Sequence, residues 1–409
     1  MAISSNKTIE TNYQTELVAL RGAESAPYFT VGSKAYIQEG ELVGKRNGQK
    51  YGFVICDAGE VENQLAIGAN AKKNIVERKV ELTIEPWHTY VENDAVEGKT
   101  DIQFDTEVAQ PWGTKLIQGA VKKAIGEDFY KSAACFVGKV GEFEPLSMAT
   151  GHLNSITSEA LYGFVDPMIE AIVTSKGAQF VPVDAPAMYK QGLIGHFHGA
   201  DYRSQRFIPR VNISSVLATA FTGASFSAFN ATTNTLTITL GASPASATVI
   251  KKGTPIFLDG VVACDLVGDE TTAPYAFIVK EDKSIATTDS SVAVKVDEVP
   301  VAAGGTRVAS MADGSEIDWT SLSASASIPA AGVYFAGLVR ASGSYNFQTL
   351  NDIDVATPDS KKGSVQGITV FQNRLTDLDN FVTGTRFDTF TLAGVVEKRA
   401  QVLVLVKAN

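Results

Sequence analysis

Between Asn212 and Ile250 the chain runs for 39 residues without an Asp, Glu, Lys or Arg, although 20% of the whole sequence is charged. At that density the chance of such a gap at a given place is on the order of 10⁻⁴, so the composition changes because the structure changes. Ala, Ser, Thr and Phe dominate the span, and strand candidates lie in it and after it at Leu236 to Leu240, Pro255 to Leu258, Tyr275 to Val279 and Val292 to Val296, divided by Gly, Pro, Asp and Ser. Short strands at near-regular spacing predict a small all-β barrel or sandwich ending near Ala331. Tyr334 to Arg340 then resumes the preceding domain, and the last run, Gln401 to Val406, is almost continuously apolar and belongs inside a sheet. The β module is therefore expected as an insertion between two halves of one α/β domain.

Upstream, residues 1 to 33 are polar with scattered Tyr13, Leu17, Val18, Leu20, Tyr28 and Phe29, which predicts an extended arm lying against another surface. Runs at Ala35 to Ile37, Tyr51 to Cys56 and Asn74 to Tyr90, punctuated by Gly40, Gly44, Asn47-Gly48, Gly59 and Gly68, have hairpin chemistry. In the last run Val80, Leu82 and Ile84 alternate with Lys79, Glu81, Thr83 and Glu85, the pattern of a long two-stranded ribbon that needs a neighbour to lie on. From Pro111, apolar residues from Leu116 to Phe136 recur at spacings of three and four, predicting one long amphipathic helix over 111–137. A second helical pattern carries Leu161, Phe164, Val165, Met168, Ile169, Ile172 and Val173, with Asp166 as cap to a segment begun by Pro167 and Gly177 as its end. Phe180 to Val183 reads as a short strand, and Asp184-Ala185-Pro186 as the cap of a brief helix through Tyr189.

The balance of 35 basic against 45 acidic residues gives a net charge of −10, which opposes sequence-specific binding to a nucleic-acid backbone. The pairs Lys72-Lys73, Lys122-Lys123, Lys251-Lys252 and Lys361-Lys362 read as solvated faces. Three well-separated cysteines, Cys56, Cys135 and Cys264, offer neither a disulfide framework nor a dithiol motif. The polar start, Met1 to Asn6, and the lack of any run of about 18 apolar residues lead us to expect a chain that stays in a reducing cytoplasm and spans no membrane.

No phosphate-binding glycine loop, GxSxG elbow, HExxH helix or CxxC is present. His196-Phe197-His198 would need a third ligand, with Asp201 nearest, to form a metal site; a polar loop between Gly195 and Gly199 is the plainer reading. Glu142 with Glu144, and Asp377 with Asp379, are acidic pairs of the sort any acidic protein offers. Asp265, Asp269 and Glu270 lack the spacing of a calcium loop and read as a solvated turn, and Trp87, Trp112 and Trp319 read as packing residues. The sequence thus nominates no catalytic, cofactor-binding or metal residue, and we expect no enzyme and no cofactor.

Taken in order, the arm, hairpin, long helix, α/β segment, inserted β module and returning apolar strand resemble the tailed-phage major capsid proteins with the HK97-like fold. The subgroup most resembled is the short-tailed phages whose coat proteins carry an inserted domain. Locally, Phe180-Val-Pro-Val-Asp-Ala-Pro-Ala-Met-Tyr-Lys-Gln-Gly192 resembles an "FFNP-x-x-YKKAG" segment, and Val249 to Gly260 resembles the start of the inserted barrel. The resemblance implies an α+β fold with an N-terminal arm (1–34), an E-loop hairpin opening the peripheral domain (35–97), a peripheral domain (98–157) with its spine helix at 111–137, an axial domain (158–234 and 332–409) and an inserted β-barrel (235–331). It also implies hexamers and pentamers in an icosahedral shell around double-stranded DNA, a precursor shell that expands, scaffolding and portal proteins as partners, and assembly in the host bacterial cytoplasm into the virion. A phage decoration protein or a receptor- or glycan-binding surface protein is the alternative.

Overall fold

The computed structural model describes residues 3–36, 50–57, 76–92, 101–129, 131–139, 144–171, 193–197, 199–302, 306–350, 361–377 and 382–408. It is a mixed α+β protein with few helices and many strands, divided into two compact units. The expected runs at Ile37, Gly177, Phe180 to Val183 and Asp184 to Tyr189, together with Glu142 and Asp379, lie outside the described residues.

The first unit comprises residues 1–53, 79–125 and 345–396. Its start corrects the extended arm: Ile3–Glu24 is an α-helix. Thr15, Val18, Ala19 and Ala23 are buried at spacings of three, one and four, the period of one helix face. These side chains are small, so hydropathy carries little of the period, yet their size lets the helix approach closely. A β-carbon on Gly363 would lie 2.5 Å from the Glu16 amide nitrogen, and one on Gly113 would lie 2.5 Å from the Val18 carbonyl oxygen. Thr15 Oγ1 donates to Gln372 Oε1 at 2.7 Å, and Arg21 grips Asp105 through two bonds of 2.9 and 2.5 Å, which holds the Asp105 carboxyl below the usual range. After a turn, Pro27–Thr30 buries Tyr28 and Phe29; Phe29 stacks on Phe347 at 4.4 Å and Tyr28 meets Tyr345 edge-on at 5.4 Å.

The ribbon expectation holds for the described strands, Lys50–Asp57 paired with Val76–Thr83. Leu82 and Ile84 are buried with Leu350 and Leu392, whereas Glu81 and Thr83 face out, so the alternating face finds its neighbour in the same unit. Glu85–Glu92 then joins a five-stranded antiparallel sheet, lying along the long strand Val382–Val395.

The long helix is displaced from 111–137. Asp101–Phe104 and Thr114–Asp128 are α-helical, and Asp105–Gly113 between them is wound as π-helix. Pro111 sits inside this stretch: a wider turn accommodates a residue that cannot donate and whose ring would strike an α-helical carbonyl, so the proline does not begin the helix. At the other end, Ala134–Gly138 is a strand. Ala133, Ala134, Cys135 and Phe136 are all buried, a continuous run that the 3–4 spacing of Phe129, Ala133 and Phe136 imitates as a stripe.

The second unit comprises residues 54–78, 126–344 and 397–409, and is organised by a sheet of eleven strands. The closing strand Gln401–Lys407 runs parallel to Ala134–Gly138 on one side and antiparallel to Gly332–Ala341 on the other. Leu161–Val165 is also a strand here, which corrects the helical reading of Leu161, Phe164 and Val165; it is a central strand buried on both faces, so it shows no alternation. The cap is as expected: Asp166 Oδ1 accepts the Met168 amide at 2.8 Å and a helical turn starts at Pro167.

All four strand candidates of the module fall on strands, Thr235–Thr239, Pro255–Cys264, Glu270–Ile278 and Ser291–Lys295, with Leu240, Val279 and Val296 one residue past the ends. Between residues 225 and 327 every regular element among the described residues is a strand. They fall into a three-stranded sheet, a two-stranded pair, and a group that joins the eleven-stranded sheet where Tyr275 pairs with Ala134.

The helix Glu144–Ile156 packs Leu146, Ala149 and Leu153 into this unit and carries His152 with them, its ring edge-on to Phe136 at 6.1 Å. His152 Nε2 is buried without a hydrogen-bond partner, and burial pulls the imidazole down to about 4.

Two predictions follow from this packing. Gly363→Val drives a branched side chain into the N-terminal helix backbone and lowers stability by about 2 kcal/mol, read as a lower urea midpoint with release of the helix to protease; an unchanged midpoint contradicts the close approach. For His152 the unfolded chain takes up its proton near pH 6.5 and the native chain only near 4, so its contribution is present above pH 6.5 and is lost as pH falls to 4. The loss is about 3 kcal/mol over that window. His152→Leu flattens the slope of stability against pH, and an unchanged slope rules the histidine out as its source.

Candidate functional site

Strands Leu193–Phe197 and Ala200–Ser204 form a hairpin that sets His196 opposite Asp201, while His198 lies outside the described residues. Among the described residues no group of three or more His, Cys, Asp or Glu is arranged to hold a metal ion. Asp265 Oδ1 accepts the amides of Val267, Gly268 and Asp269 at 2.8 to 2.9 Å, so this carboxylate builds its own turn. Cys135 and Cys264 are buried free thiols, both pushed up by burial and so poor nucleophiles.

The tryptophans pack. Trp319 lies among Phe226, Phe229 and Phe277 with ring separations of 5.9, 4.6 and 6.2 Å. Trp87 donates from Nε1 to Thr391 Oγ1 at 3.1 Å and covers Gly119, and Lys115 sits 4.7 Å over the Trp112 ring. Of the lysine pairs, Lys122 and Lys123 are exposed, the latter bonded to Glu85, and Lys251 meets Asp282 at 2.8 Å on the surface.

Sequence patterns gave almost no sign of a partly buried ionic joint in the second unit. The turn Lys398–Ala400, just before the closing strand, is capped by Glu397, whose carboxylate takes Arg399 through bonds of 2.8 and 2.7 Å. Arg399 is 1% exposed and also donates to the Arg307 carbonyl at 3.3 Å. Beside it Lys398 donates to the Glu298 carbonyl and reaches Asp297 at 3.5 Å; Lys280 reaches the other Asp297 oxygen at 3.1 Å. Burial draws Lys398 down, and Asp297 opposes that fall. The same lysines hold the Asp297 carboxyl below its usual range against the cost of burial. The Lys398 ammonium is committed to a carbonyl and a carboxylate. The joint ties the segment after Ser291–Lys295 to the root of the closing strand. The pattern Glu397-x-Arg399 ahead of an apolar strand is the only trace of it in the sequence.

The surface carries a few large apolar side chains: Tyr13, Tyr90, Val137, Met148, Met168, Phe207, Val267 and Val333 are each 38 to 48% exposed. Phe207 is also held at φ +73°, a conformation that favours glycine. No helix among the described residues is long and apolar enough to cross a membrane.

No family model matches the chain, and no curated protein matches it. Among solved structures it is similar to "Capsid of Ralstonia phage GP4", with 6% identity, 94% of this chain and 89% of that chain covered, and a TM-score of 0.44. "The head structure of Helicobacter pylori bacteriophage KHP40" is similar at 6% identity, 94% and 90% coverage and a TM-score of 0.42. A chain of "Mycobacterium phage Che8" is similar at 11% identity, 91% and 92% coverage and a TM-score of 0.39.

Proposed function

We propose that this chain is a shell-forming structural protein, the major capsid protein of a tailed double-stranded DNA bacteriophage, and not an enzyme. The observation that carries this reading is the order of elements along the chain: N-terminal segment, two-stranded ribbon, long helix, α/β segment, β module with a charge-free entrance and returning buried strand. In this reading residues 1–34 are the arm, 35–97 the E-loop hairpin, 98–157 the peripheral domain, 158–234 with 332–409 the axial domain and 235–331 the inserted domain. A subunit that builds a shell needs contacts spread round its edges, and symmetry repeats each of them. Hexamers and pentamers then close an icosahedral shell, with scaffolding and portal proteins as partners, in the cytoplasm of a bacterial host. The net charge of −10 suits a container that does not stick to the polymer inside it.

A surface-binding role is the second reading, favoured by one feature. On the three-stranded sheet of the β module the exposed positions Ser225, Thr239, Ser291, Ala293 and Lys295 are mostly small and hydroxylated.

Expression of the chain with and without a co-expressed phage scaffolding protein, followed by sedimentation and negative-stain electron microscopy, tests the proposal. Closed shells or regular sheets tens of nanometres across are expected. Monomers or small oligomers under both conditions contradict it and direct attention to glycan and receptor screening.

A further inference from the structure

The turn from Gln205 to Arg210 leaves strand Ala200–Ser204 with an aromatic side chain displayed in an unfavourable conformation. Phe207 is 41% exposed at φ +73°, where a side chain crowds its own carbonyl and glycine would rest freely. The turn is held from several sides. The Gln205 amide donates to the Val165 carbonyl at 2.9 Å, Ile208 is buried, and Arg210 lies over Phe335 at 5.0 Å while its Nε reaches Asp166 Oδ2 at 3.4 Å. Asp166 is the same residue that caps the turn carrying Met168, which is 44% exposed. Because Leu161–Val165 and Ala200–Ser204 run parallel, with Val165 beside Ser204, both turns leave the same end of the sheet. An exposed Arg206 stands next to Phe207, and its guanidinium has no ion pair among the described residues. Rigid support of a disfavoured, water-facing aromatic is hard to account for by the folding of one chain alone.

A complementary surface exists in the same unit. The turn between strands Pro255–Cys264 and Glu270–Ile278 displays Val267, 42% exposed, between Asp265 and the exposed carboxylates Asp269 and Glu270. The three amide bonds to Asp265 Oδ1 make this turn rigid as well. One surface is apolar and basic and the other apolar and acidic.

We propose that the Phe207 turn is an assembly contact that seats on the Val267 turn of a second copy of this chain, Arg206 facing Asp269 and Glu270 while Phe207 and Met168 cover Val267. The proposal rests on the self-assembling reading above and names one of its contacts. Two different patches of one chain make a head-to-tail contact, which propagates into rings or closed arrays, and rim charges of opposite sign set its register.

Five variants of the full chain test it. Phe207→Gly relieves the backbone, so the unassembled subunit melts no lower than the parent while the assembled fraction in sedimentation falls at least tenfold. Arg206→Glu lowers assembly similarly, and adding Asp269→Arg to it recovers most of the loss. In a separate arm, chains carrying Phe207→Cys are mixed with chains carrying Val267→Cys under mild oxidation, and an intermolecular disulfide dimer absent from either alone is expected. Unchanged assembly in both single variants, no recovery in the charge swap, or shells without the cross-link overturns the contact. A cross-link in a chain that never forms shells leaves the contact standing and removes the capsid reading instead.

Discussion

Six consecutive residues of the closing strand, Gln401 to Val406, are buried, and both hydrogen-bonding edges of the strand are occupied. Val402, Leu403, Val404, Leu405 and Val406 are each 2% exposed or less. At about 2 kcal/mol for each fully buried Val or Leu, they contribute on the order of 10 kcal/mol, as an upper figure for a chain whose unfolded state is already partly collapsed. That is the size of the whole net stability of a typical domain. The strands it joins, Ala134–Gly138 and Gly332–Ala341, lie far back in the sequence, so the second unit closes its sheet only when this strand has paired with both. Such non-local pairing makes folding slow and leaves apolar edges open meanwhile.

The polar joint at the root of this strand extends its influence into the β module. Glu397 with Arg399 fixes the turn that aims the strand, and Lys398 with Asp297 and Lys280 ties that turn to the module. A buried pair such as Arg399 with Glu397 adds little net stability over apolar packing, but removing Glu397 strands a charge and costs about 3 to 5 kcal/mol. The joint therefore acts on geometry: it makes the module's position depend on the closing strand.

How legible this was in the sequence depended on side-chain size and on burial of two faces. Gln401 to Val406 announced itself because a strand buried on both sides is apolar without interruption. The ribbon showed through Val80, Leu82 and Ile84, and the cap at Asp166 through its position before Pro167. The N-terminal helix did not show, because its buried face is built of Thr15, Ala19, Gly22 and Ala23, which pack closely and register weakly as hydrophobic. Leu161 to Val165 and Ala133 to Phe136 misled for the opposite reason, since central strands are apolar at every position and so fit a helical period too. Arg399 and His152 were invisible as buried residues because composition assigns Arg and His to the surface. Nothing in the sequence singles out Phe207, whose exposure and backbone conformation show only in the structure.

Under the proposed shell-forming role, stability and assembly fall on different parts of the chain: the closing strand holds the subunit together, and exposed turns are left for neighbours. Amide hydrogen exchange, compared between the unassembled subunit and its assembled product, tests that division most directly. The account predicts that the amides of Gln401–Lys407 exchange slowly and equally in both states, with assembly adding protection only at exposed segments such as the turns around Phe207 and Val267. If the closing strand instead exchanged freely in the subunit and became protected only on assembly, the core would be a product of association and the account would be wrong.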